Sequence, residues 1–203
     1  MKTKGEKNIL KEPDASYSRY TYADYLTWEM DSMVELIKGK IFRQAAAPRR
    51  IHQEVALETA RKLADFLDDK ACNIFIAPFD VRLPIKSQKA EDITTVVQPD
   101  ICVVCDPSKL DDLGCIGAPD LIIEILSPGN NQKELIHKFD IYEECGVKEY
   151  WIIHPTEQTL LIYTLTDGKF IPSRLFTIGH TVSSTTIHGF QLDLKDIFKY
   201  TEG

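Results

Sequence analysis

"APDLIIEILSP", Ala118 to Pro128, is the stretch on which the reading of this chain turns. Its middle is a nearly unbroken apolar run, the pattern of a strand covered on both faces. One carboxylate, Glu124, stands inside that run. An ionised carboxylate buried without a partner costs several kcal/mol or more. Something else in the sequence must therefore supply a counter-charge.

The chain has 203 residues, 43% hydrophobic and 27% charged, which suits one soluble domain with a full core. No apolar run approaches the roughly 18 to 20 residues of a membrane span, so no membrane partner is expected. The start, "MKTKGEKNILKEPDAS", lacks the apolar segment of a secretory signal. Residues 1–19 read as a flexible polar arm, 20–203 as a single domain, and the compartment as cytoplasmic. The five cysteines, Cys72, Cys102, Cys105, Cys115 and Cys145, lie mostly in apolar stretches and read as reduced thiols. Cys102 and Cys105 form C-x-x-C, but residues three apart on a strand point to opposite faces, and no second pair follows at zinc spacing. The net charge of −7 argues against non-specific nucleic-acid binding unless a local basic patch or carboxylate-bound metal offsets it.

Along the chain, Tyr20–Ser32 reads as a short helix capped by Thr21, and Val34–Phe42 as a hairpin turning at Lys38-Gly39. A long helix spans roughly Pro48 to Asp69. Strands follow at Asn73–Ala77, Asp80–Pro84, Gln98–Cys105 and Leu121–Ser127, with the polar "IKSQKAEDITTV" between two of them expected as a mobile loop. Asn130–Gly146 is a helix with Asn at its start and Gly at its end. Glu149–His154 is a buried strand. "TLLIYTL" and "KFIPSRLF" pair across Asp167-Gly168, and the tail ends in a strand and a short helix. The expected class is α/β (α+β), a mixed sheet flanked by helices with extra C-terminal hairpins.

The chemistry-bearing residues can be placed on these elements. Side chains alternate along a strand, so Asp100 shares a face with Gln98 and Cys102, and Glu124 with Ile122 and Leu126. On neighbouring strands the two carboxylates would meet, and they repel unless a proton or cation lies between them. A hard divalent ion such as Mg²⁺ needs one or two carboxylates and keeps several waters. The plainer alternative makes Asp100 a turn residue and Glu124 an edge carboxylate reaching water. Asp120, following Pro119, reads as a turn former. Lys138 borders the apolar stripe Leu135, Phe139 and Tyr142 of its helix; it can lean over the sheet, or form a surface i,i+4 pair with Glu134. His52 projects within the apolar arc of the long helix, as a hydrogen-bonded core histidine or a proton shuttle beside carboxylates. Glu35 is a further acidic ligand or a solvated hairpin residue.

"VELIKGKI", "FDVRL", "VVQPDICVVCD", "GAPDLIIEILSP", "HKFDIYEECGVKEYWIIHP" and "GFQL" occur in an order that resembles the Uma-two family. Those proteins are restriction-endonuclease-like members of the PD-(D/E)XK nuclease superfamily, and the resemblance spans about Tyr20 to the C-terminus. It implies a metal-dependent endonuclease acting on nucleic acid, DNA foremost, with Mg²⁺ or Mn²⁺ held by Asp100, Glu124 and the carbonyl of Ile125. It places the catalytic positions at Asp100, Glu124, Lys138, His52 and Glu35. The superfamily's lysine two residues after the Glu is replaced by Leu126, and Lys138 takes its place from the following helix. Glu134 and His154 stand where the family usually shows Asp. The alternative is an inactive nuclease fold serving as a nucleic-acid-binding or protein-interaction module; either is compatible with a homodimer.

Overall fold

The computed structural model describes residues 19–28, 33–43, 48–127 and 132–199. The first half comprises α1 (Tyr22–Tyr25), β1 (Val34–Ile37), β2 (Lys40–Arg43), α2 (Arg50–Leu67), β3 (Asn73–Ile76), β4 (Val81–Arg82), β5 (Val96–Val97) and β6 (Ile101–Val104). There follow β7 (Leu110–Asp111), β8 (Gly114–Ile116), β9 (Leu121–Ile125), α3 (Gln132–Cys145) and β10 (Glu149–His154). The chain ends with β11 (Thr159–Thr166), β12 (Lys169–Pro172), β13 (Phe176–Thr177), β14 (Thr181–Ser183), β15 (Gln191–Asp193) and α4 (Leu194–Phe198).

The larger sheet runs β12-β11-β10-β9-β6-β3, with β13 also on β11. Only β9 and β10 in it are parallel, and parallel neighbours need a crossover. That crossover is α3, which lies over the face carrying Cys102, Ile122 and Tyr150 and buries Ile141 and Tyr142 there. On the opposite face, Ile101, Val103, Leu121, Ile123, Ile125, Trp151 and Ile153 pack against Val55, Leu63 and Leu67 of α2 and Ile197 and Phe198 of α4. β9 is therefore covered on both sides, and all five of its residues are buried. A smaller sheet, β2-β1-β5-β4-β8-β7, adds Ile37, Val81 and Cys115 to the α3-side core.

Both hairpins form where the sequence places them. Lys38 and Gly39, and Asp167 and Gly168, all take positive φ, the geometry of a tight two-residue turn. β10 has the expected bounds, and Gly146 (φ 84°) ends α3. Several expectations change. The first helix is a single turn, capped by Thr21 through a reciprocal bond with Asp24. The ladder of β6 begins at Ile101 rather than Gln98, since Pro99 has no N–H to donate. The segment read as a mobile loop is fixed at its end, where Ile93, Thr94 and Thr95 are buried. Ile93 O accepts from Tyr22 N, and Thr94 O from Gly39 N. Residues 1–18 of the arm proposed for 1–19, and the Asn130 cap, fall outside the described residues.

The thiols divide. Cys72 and Cys105 form a disulfide, correcting their reading as reduced thiols. Asn73 pairs with Val104, so one step beyond that rung Cys72 and Cys105 stand opposite one another. Cys102 and Cys115 are buried free thiols whose pKa burial raises, to about 11 for Cys115, so they remain protonated. Cys102 and Cys105 do lie on opposite faces, as alternation requires.

Two buried carboxylates hold the sheet's margins. Asp120, read from sequence as a turn former, accepts from Cys105 N at 2.7 Å and from Lys148 Nζ at 2.6 Å, joining the ends of β6, β9 and β10. Glu149 is fully buried and accepts from Trp151 Nε1 (2.8 Å), Ser184 Oγ (2.7 Å), Thr186 N (2.9 Å) and Thr185 Oγ1 (3.3 Å). It fastens the turn after β14 to the core strand β10. Glu149→Ala leaves those donors buried without an acceptor and is expected to lower the unfolding free energy by about 3 kcal/mol or more; urea denaturation measures it, and a change within 0.5 kcal/mol (roughly the surface-substitution range) would refute this role.

Candidate active site

The pairing of β6 with β9 sets the two central carboxylates. Ile101 pairs with Ile123 and Cys102 with Ile122, so the next step of the antiparallel register puts Asp100 opposite Glu124. The main-chain N–H of Ile125 donates to Asp100 Oδ2 at 2.7 Å, bringing the Asp100 carboxylate against the backbone next to Glu124. The expected meeting of these residues on neighbouring strands is thus what the fold produces. Asp100 is also held through its main chain, where its carbonyl accepts from Ala77 N.

Glu124 points to the α3 side. Its Oε1 accepts from Tyr142 Oη at 2.8 Å and lies 3.0 Å from Lys138 Nζ. Lys138 does not merely border the helix's apolar stripe; it is 4% exposed and lies in the buried face with Ile141 and Tyr142. The side chain of Glu134, the surface partner considered for it, falls outside the described residues. Lys138 Nζ also lies 3.0 Å from Oε1 of Glu35, and that same oxygen accepts the Gln98 N–H at 2.7 Å. Glu35 therefore turns inward from β1 instead of standing as a solvated hairpin residue. His52, 5% exposed on the first turn of α2, sets Nε2 3.3 Å from Asp100 Oδ1. Four elements and the segment before β6 thus bring Glu35, His52, Asp100, Glu124 and Lys138 together.

Two groups escaped the sequence reading. Tyr142 reads from sequence only as core, yet its hydroxyl donates to Glu124; a buried tyrosine's need for a hydrogen-bond partner is the available signal. Gln98 anchors Glu35 through its N–H, while its side-chain Nε2 donates to Asp80 Oδ1 at 2.7 Å. Tyr25 Oη donates to that same Asp80 oxygen at 3.1 Å. This contact carries sequence separation of 55 residues and left no local pattern to read.

Burial dominates the electrostatics of the site. It pushes the Glu124 pKa up to about 7, with Lys138 pulling downward and Asp100 and Glu35 pushing further upward. Among the described residues, no three His, Cys, Asp or Glu side chains gather as a metal-binding group. A cation here would draw on two carboxylates, main-chain oxygen and water, the coordination Mg²⁺ commonly uses.

A mixed sheet with a βαβ crossover, and paired carboxylates on adjacent central strands, defines a restriction-endonuclease-like nuclease fold. The chain belongs to the Uma2 family, described as "Putative restriction endonuclease", whose model matches residues 22–195. A solved structure with TM-score 0.72 and 21% identity, covering 90% of this chain and 99% of that one, is a "putative nuclease belonging to DUF820" from Anabaena variabilis. "Uncharacterized protein slr1290" of Synechocystis is 23% identical over 162 residues, 78% of this chain and 81% of that protein. No helix among the described residues is long and apolar enough to cross a membrane.

The raised Glu124 pKa gives a signed pH dependence. The folded state holds this proton more tightly than the unfolded chain, so the contribution of Glu124 to stability is most favourable below its ordinary value of 4.5. It declines as pH rises through about 7. Relative to Glu124→Gln, the wild type is expected to lose stability progressively across that window. Thermal melts of both proteins from pH 4.5 to 8 test it; a difference that does not change with pH would contradict it.

Proposed function

We propose that this chain is a metal-dependent endonuclease that hydrolyses nucleic-acid phosphodiester bonds, with DNA as substrate and the cytoplasm as its place of action. The observation that carries the reading is the convergence of Asp100 and Glu124 across β6 and β9, with Lys138 brought to them from α3. The donor set suits a hard cation. Glu35 and Glu124 share the Lys138 ammonium, and Asp100 stands opposite Glu124 on the neighbouring strand, so carboxylate oxygens converge from three segments of the chain.

Asp100, Glu124 and the carbonyl of Ile125 would hold Mg²⁺ or Mn²⁺. When bound, such an ion supplies Lewis-acid polarisation of a phosphodiester oxygen and makes water a better nucleophile. The protein's own groups do the positioning. The Ile125 N–H and His52 fix the orientation of Asp100. Tyr142 and Lys138 fix Glu124. Lys138, delivered from the helix where Leu126 leaves the strand without a lysine, places positive charge beside the carboxylates, where an anionic phosphate or its attacking water can be steadied.

A second reading is favoured by the ion pairing itself. Lys138 is engaged by two carboxylates, and the net charge is −7, both of which suit a fold kept for binding after its chemistry was lost. Plasmid and single-stranded DNA incubated with Mg²⁺, Mn²⁺ or chelator separate the two. The nuclease reading expects metal-dependent nicking, loss of it in Asp100→Ala, and about a 10- to 100-fold reduction in His52→Ala through looser support of Asp100. Absence of cleavage together with absence of any metal-induced rise in melting temperature would leave the non-catalytic reading.

A further inference from the structure

Lys138 is placed unlike an ordinary lysine. It is nearly fully buried, and its ammonium lies 3.0 Å from one oxygen of Glu124 and 3.0 Å from one oxygen of Glu35. Each of those oxygens takes a second donor, the Tyr142 hydroxyl on Glu124 and the Gln98 N–H on Glu35. Glu35 comes from β1 of the smaller sheet, Glu124 from β9 of the larger one, and Lys138 from the helix between. A buried carboxylate and a part-buried one, from separate sheets, are thus joined through one cation.

Resting on the nuclease reading above, we propose that Lys138 is the resident counter-ion of the site, and that it competes with the divalent metal for the negative charge of Glu124 and Glu35. Without metal, its ammonium balances carboxylates that would otherwise repel across a poorly solvated space. A dication entering beside Asp100 and Glu124 meets a positive charge already committed to one of its own ligands. Charge repulsion at that range in a partly desolvated site is substantial. Lys138 therefore sets the metal affinity low and keeps the site assembled in its absence. A lysine serving only substrate phosphate would leave metal affinity unchanged when removed, and a lysine serving only to shape the pocket would lower it.

The test uses the full chain and Mn²⁺ alone, with no nucleic acid. Binding is followed by the electron paramagnetic resonance of free Mn²⁺, and stability by thermal melts with and without the ion. Lys138→Met is expected to bind Mn²⁺ about tenfold tighter or more than wild type, to melt lower without metal, and to gain more from its addition. Lys138→Arg, which keeps the charge, is expected to stay close to wild type in affinity. Lys138→Gln carries the same expectation as the methionine and is read if that variant fails to fold. Unchanged or weaker Mn²⁺ binding in the uncharged variants overturns the competition while leaving a cleaving wild type as a nuclease. Failure of wild type and variants alike to bind Mn²⁺ overturns both.

Discussion

A carboxylate inside a strand covered on both faces is the constraint around which this molecule is arranged. Glu124 cannot reach bulk water from the middle of β9, so its charge must be met by groups brought to it. The parallel pairing of β9 with β10 is what makes this feasible. It demands a crossover, and the helix that makes the crossover passes over the strand it has just left. Lys138 and Tyr142, one helical turn apart, both face Glu124 from that helix. The same burial that endangers the carboxylate gives its interactions weight, because charges in a dry site are weakly screened.

Topology explains why the site lies where it does and why each partner is needed. Asp100 is the residue just before the β6 ladder begins, and Pro99 before it has no N–H to extend the pairing. Its side chain is therefore free to accept the Ile125 N–H that a continuing strand would have used. Pro99 thus ends a ladder and opens a site in one step. α2, packed on the far face by Val55, Leu63 and Leu67, contributes His52 from its first turn to the same carboxylate. The smaller sheet adds Glu35 through its first hairpin, whose turn at Lys38-Gly39 is tied back by Thr94 and Thr95.

Much of this was legible because it is encoded locally. The two hairpins announce themselves through Lys38-Gly39 and Asp167-Gly168, β10 through its apolar run, and α3 through its terminal glycine. Side-chain alternation placed Asp100 and Glu124 on matching faces, and helical angles brought Lys138 toward the sheet. What was not legible depends on distant register. β5 and β7 are two-residue strands with no periodicity of their own. The Cys72–Cys105 pairing follows only once β3 is set against β6. Tyr142 looked like core because it is core; its second role appears only when Glu124 is known to lie beneath it.

The site also departs from what a purely stabilising arrangement would look like. Replacing a buried ion pair by well-packed apolar residues is often neutral or favourable to stability. At Leu126 this chain does carry an apolar residue where the superfamily pattern has its lysine, yet it retains a buried lysine on α3 paired with Glu35 and Glu124. Asp120 and Glu149 show the other use of a buried carboxylate, in which neutral main-chain and hydroxyl donors, with an exposed lysine at most, satisfy the charge and join elements. Around Glu124 the balance is different, since Asp100 and Glu35 both raise the cost of ionising it while Lys138 lowers that cost. A fold selected for stability alone has no reason to keep that excess of carboxylates, and it is the feature on which the proposed metal site would draw.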